Sequence, residues 1–125
     1  MGLKYLYDTN IYINFLSGIL KEDYLFSYDF LSENDILISS IVRMEFLSHP
    51  NIKPQDESFF RELIRQFIII PIDFMIEDEA IQIRKQYKLK LPDAIIAATA
   101  IFEDATLVTY DKKDFQRVKE LKLYR

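Results

Sequence analysis

Short apolar runs alternate with helical spacings along the whole chain, and that alternation leaves few folds open. The runs are "YLY" at Tyr5–Tyr7, "DILISS" at Asp35–Ser40, "IIIPID" at Ile68–Asp73 and "ATLVTYD" at Ala105–Asp111. Each reads as a strand, and Pro71 puts the third at a sheet edge or near its own end. Between them, apolar residues recur at helical spacing. Ile11, Phe15 and Leu16 mark one helix, and Tyr24–Leu31 is a second candidate. "SSIVRMEFLSH" has Ile41 and Met44 on one stripe behind a serine cap. Phe59, Phe60, Leu63, Ile64 and Phe67 mark an amphipathic helix over 55–67. "EDEAIQIRKQY" at 77–87 has an acidic first turn and a basic end, as the helix dipole favours.

"LPDAIIAATAIF" starts a helix with Pro92 in its first turn and is almost wholly apolar and small behind Asp93. "KKDFQRVKEL" predicts a last helix over 112–121, and "KLY" a final short strand. Strands that alternate with helices predict an α/β fold, a three-layer α/β/α sandwich around a mostly parallel sheet. The 125 residues make one domain, 1–125, and half of them are hydrophobic, enough for a real core. Only two glycines and four prolines interrupt it.

The absence of cysteine excludes disulfides and thiolate-bound zinc and fits a reducing compartment. No apolar run approaches the roughly 20 residues of a membrane span. No basic start with a long apolar stretch opens the chain, so the expected location is cytoplasmic, with no membrane partner. The formal charge is −4, unevenly placed. Residues 1–83 hold 6 Lys and Arg against 14 Asp and Glu, and residues 84–125 hold 10 against 6. The acidic total argues against sequence-independent binding of duplex DNA through a broad basic face, but it leaves room for a local basic surface beside an acidic site.

In an open parallel sheet, ligands bind beyond the carboxyl ends of the strands. Acids gather at those places here. Asp8 and Asp111 each follow a strand, and Glu45 and Asp93 lie near the starts of helices. Asp114 comes three residues after Asp111. Each alone has an ordinary explanation as a helix cap or a first-turn charge. Glu45 is the exception: no Lys or Arg stands three or four residues away to pair with it. Brought to one rim, these carboxylates would repel, and a divalent cation would remove that penalty. A set of oxygen donors suits Mg²⁺ or Mn²⁺ better than zinc.

With those residues in place, the chain resembles the PIN-domain ribonucleases, and among them the VapC-type toxins of toxin–antitoxin pairs. "YLYDTNIYI" is similar to the family's opening strand, with its metal-binding acid at Asp8 and a supporting Asn10. "ISSIVRMEFL" matches the second motif at Glu45, and "LPDAIIAATA" the third at Asp93. "TLVTYDKKDF" matches the fourth, where Thr109, Asp111 and Asp114 lie near the metal; which of the two acids binds it stays open.

The resemblance implies a Mg- or Mn-dependent endoribonuclease with one or two ions, catalytic and metal-binding acids at Asp8, Glu45, Asp93, Asp111 and Asp114, and hydrolysis of RNA. It also implies a small antitoxin partner and a homodimer. Lys112, Lys113 and Arg117 are candidates to guide the RNA backbone. One histidine, His49, cannot supply a two-histidine mechanism. Two rivals remain: a non-catalytic PIN-like binding or regulatory module, and a metal-dependent DNA nuclease or phosphatase. A dehalogenase-like phosphatase needs an Asp where Asn10 stands, and a phosphate-cradling loop needs glycines that "YDTN" lacks.

Overall fold

In the computed structural model, which describes residues 2–18 and 23–124, five strands form one sheet in the order β3-β2-β1-β4-β5. The strands are β1 (Lys4–Tyr7), β2 (Asp35–Ser39), β3 (Ile68–Ile70), β4 (Thr106–Val108) and β5 (Lys122–Leu123). Every pairing is parallel, and helices cover both faces, giving the three-layer α/β/α sandwich. β1 is central because its Leu6 and Tyr7 are fully buried, as a strand covered on both faces requires. Its register pairs Leu6 with Leu37 on one side and Leu107 on the other.

The helices are α1 (Thr9–Leu16), α2 (Tyr28–Glu33), α3 (Ser40–Leu47), α4 (Pro54–Ile64), α5 (Phe74–Tyr87), α6 (Leu91–Phe102) and α7 (Lys112–Phe115). α1 gives way at Gly18, whose φ of 79° is a conformation that glycine adopts without strain. α6 runs through the middle: Ala94, Ile96, Ala97, Ala98 and Ala100 are fully buried, and the helix packs on α5, α3 and β4. Small side chains let the helices approach closely, as the apolar sequence behind Asp93 implies.

Four elements depart from the sequence reading. Tyr24–Leu31 is not one helix: a 3₁₀ turn, Asp23–Phe26, ends at Ser27, which starts α2 by accepting the Phe30 N–H at 3.2 Å. Leu25 and Phe30 point into the core, Phe26 stacks on Phe15 at 3.9 Å, and Tyr28 is left 83% exposed. β3 stops at Ile70 rather than Asp73, because Asp73 caps α5 through the Ile76 N–H at 2.9 Å. α5 therefore begins at Phe74. Its first residues, Phe74 and Met75, are exposed, so they broke the apolar stripe that would have revealed the helix.

The last helix is four residues, not ten. After Phe115 the backbone bonds run from Arg117 to Asp114, Val118 to Phe115 and Leu121 to Val118, each spanning three residues. Phe115 and Val118 are both buried along this chain of turns.

Candidate functional site

Strand register brings the first two site residues together. Tyr7 lies opposite Val108, and the Asp8 N–H continues the ladder to the Val108 carbonyl at 2.9 Å. One step on, Asp8 stands beside Thr109. The Thr109 hydroxyl donates to Asp8 Oδ2 at 2.7 Å and accepts the Asp111 N–H at 3.0 Å. Thr109, 3% exposed, thus ties two acids from adjacent strand ends into one unit.

Asp8 does cap a helix, since Oδ1 accepts the Thr9 N–H at 2.8 Å. Its other oxygen is still turned to the site. Asp111 sits at the N-cap position of α7, but its side chain makes no capping bond. The ordinary explanation therefore fails for Asp111 and accounts for half of Asp8.

Glu45 reaches the same place from α3. Its Oε1 accepts the Thr9 hydroxyl at 2.7 Å, across 36 residues of sequence. Thr9 is the residue that sequence reasoning passed over. Asp93 arrives from the first turn of α6. Asp8, Thr9, Asn10, Glu45, Asp93 and Asp111 all line one depression of about 450 Å³ at the carboxyl rim of the sheet.

Asp114 is not in that wall. It turns outward and pairs with Arg117, whose Nη2 lies 3.5 Å from Asp114 Oδ1. Arg117 is committed to that pair, whereas Lys112 and Lys113 are exposed on the turn that follows Asp111. His49 is exposed in the loop after α3, at the edge of the depression.

The electrostatics are those of crowded acids. Asp93 is pushed up to about 6, first by desolvation and then by the charges of Asp8, Asp111 and Glu45; Lys90 opposes this only weakly. Asp8 is also raised, because burial outweighs the hydrogen bonds from Thr109 and Thr9. Asn10 Oδ1 is buried without a hydrogen-bond partner, an acceptor oxygen left unsatisfied in the same wall. Carboxylate oxygens and one spare amide oxygen are hard donors and fit Mg²⁺ or Mn²⁺. Among the described residues, no three acidic or histidine side chains are already drawn together as tightly as a metal centre requires. Mg²⁺ keeps several waters and needs only one or two direct carboxylates, so a looser ring of acids fits it.

A family model described as PIN domain matches residues 5–121. The fold is similar to a toxin–antitoxin complex from Klebsiella pneumoniae, at 36% identity over 93% of both chains with a TM-score of 0.76. It is also similar to VapBC2 from Rickettsia felis bound to a fragment of promoter DNA, at 28% identity over 98% of both chains and a TM-score of 0.83. DNA-bound VapBC from Salmonella typhimurium shares the fold at 21% identity, with a TM-score of 0.82 over 98% of this chain and 97% of that one. No curated protein matches the sequence.

Proposed function

The chain belongs to the PIN-domain family, and from that premise we propose that it is a metal-dependent endoribonuclease acting as the toxin of a toxin–antitoxin pair. The observation that carries the reading is the convergence of Asp8, Glu45, Asp93 and Asp111, from four separate elements, on one depression with no lysine or arginine in its lining. A binding module has no use for acids held together against their own repulsion.

Asp8, Glu45, Asp93 and Asp111 would hold one or two Mg²⁺ or Mn²⁺ ions, with Asn10 Oδ1 as a further oxygen donor. Such an ion, when bound, activates water and offsets charge on the leaving oxygen in phosphodiester hydrolysis. The protein's share is positioning. Thr109 fixes the rotamer of Asp8, and Thr9 fixes that of Glu45, so the carboxylates are oriented before substrate arrives. Asp114 supports the rim through Arg117 rather than from inside it. Lys112 and Lys113, next to Asp111 and exposed, offer the positive charge that an RNA backbone would follow.

The partners follow the similar structures, which hold toxin with antitoxin. A small antitoxin would cover the site, and the exposed Tyr24 and Tyr28 would add to its contact. A second copy would bury Ile68, Ile69, Phe74 and Met75, which β3 and the start of α5 leave exposed. Among the described residues, no helix is long and apolar enough to cross a membrane, and we assign a cytoplasmic location.

The test is cleavage of a pool of transfer RNA and ribosomal RNA fragments with Mg²⁺, Mn²⁺ or EDTA, for wild type and Asp8→Asn. Cuts that need both the metal and Asp8 support the reading. Metal-independent cuts overturn the metal-dependent reading, and no cuts alongside an absence of Mn²⁺ binding by calorimetry return the chain to the binding-module class.

A further inference from the structure

A second depression, of about 530 Å³, lies beside the acid rim and shares Ile13 and His49 with it. Its apolar floor comes from Ile13 and Leu16 of α1 and from Phe46 and Ile52, and its polar edge from His49, Asn51 and Gln55, with the charged side chains of Lys53 and Asp56 beside them. We propose that it is a nucleobase subsite, which takes one unpaired base of the RNA while the adjoining phosphate lies over the acids. The proposal deepens the nuclease reading and rests on it.

Size and chemistry both support a base. The volume falls in the range of small-molecule sites, and an apolar floor with a few polar groups at the edge is their usual composition. The side-chain amides of Asn51 and Gln55 make no hydrogen bond among the described residues. Each offers a donor and an acceptor together, the pattern that base edges present in return. His49 adds a directional donor. Its Nδ1 accepts the Asn51 N–H at 3.2 Å, which leaves Nε2–H as the free edge of the ring.

The loop that carries these groups is built in advance. The His49 N–H donates to the Phe46 carbonyl and the Ile52 N–H to the His49 carbonyl, both at 3.2 Å. An apolar peptide helix seated here would bury both amides without partners, at a cost that a base avoids. A base inside a duplex cannot reach such a groove, so the substrate class is single-stranded RNA or an open loop.

The experiment is an NMR titration of the ¹⁵N-labelled protein with the four nucleoside 5′-monophosphates, and with ribose 5-phosphate, in Mg²⁺. We expect one base to shift the amides of Asn51, Ile52 and Gln55 more than the others, and ribose 5-phosphate to leave them in place. Asn51→Ala with Gln55→Ala, both at the surface, should weaken that nucleotide roughly tenfold, about one lost hydrogen bond. The same pair should also change the nucleotide beside the cut. Equal shifts from ribose 5-phosphate would mean phosphate binding only. Shifts that follow protein concentration alone would give the groove to a second copy. Either result overturns the subsite. Cleavage that needs Asp8 and metal but keeps its cut sites in the double variant would sink the subsite and spare the nuclease. Cleavage indifferent to Asp8 would sink the nuclease reading, while the titration would still judge the groove.

Discussion

The two ends of α6 hold aspartates in opposite chemical states. At its start, Asp93 is driven up to about 6, first by desolvation and then by the charges of three other carboxylates. Just past its end, Asp104 meets Lys122 Nζ at 2.7 Å and is held below the usual carboxylate range by that hydrogen bond and charge. One helix thus joins two rims of one sheet. At the Asp104 rim, acid is matched to base, as surfaces ordinarily are. At the Asp93 rim the match is withheld. The withheld charge balance, more than the presence of acids, marks the functional end, since a structural protein gains nothing from repelling groups.

Removing an acid from the unmatched rim should have the largest effect. Asp8→Asn is expected to lower metal-dependent cleavage by roughly 10²–10³-fold, since a bound cation supplies several kcal/mol of charge stabilisation. The Asn oxygen can still accept the Thr9 N–H while its amide nitrogen donates to the Thr109 hydroxyl, so circular dichroism should be kept with only a small change in melting. Asp104→Asn should leave cleavage at the wild-type rate. Equal losses in the two variants would erase the distinction between the rims.

The comparison also relies on α6 as a stiff, closely packed rod. Ala97 is fully buried on it. Ala97→Leu should cost about 1–3 kcal/mol by overpacking, read as a lower urea midpoint at unchanged slope. A neutral result would mean that α6 has room beside it and does not fix the depth of Asp93.

How much of this was visible beforehand depends on the range of the signal. Strand–helix alternation, the central apolar α6 and the five acids lie in local sequence and could be read there. Convergence at a carboxyl rim followed from the parallel sheet. Which of Asp111 and Asp114 lines the depression could not be read, since it turns on a backbone of φ −91° and ψ 58° at Asp111 and on the Arg117 pair. Nor could the Thr9–Glu45 bond, which joins α1 to α3 across 36 residues. The start of α5 was hidden for a different reason: exposed Phe74 and Met75 broke the pattern that sequence reading uses.

The smallest effect, and the finest test of the comparison, is the pH dependence of stability in EDTA. Asp93 is raised from its ordinary 3.8 to about 6 when folded, so the native state holds its proton more tightly than the unfolded chain. Its contribution is fully present below about pH 4 and is lost as pH rises through 6. Asp8 moves in the same direction. Asp104 is lowered, so its contribution is present above its ordinary range and is lost as pH falls. Asp93→Asn should therefore flatten the fall in melting temperature between pH 4 and 6, and Asp104→Asn should remove a small loss at the acid end. Added Mg²⁺ should stabilise the wild type more at pH 7 than at pH 5, where protons compete for the same carboxylates. Effects of the same sign in both variants would mean that the two ends of α6 do not differ in their charge environment, and would break the comparison.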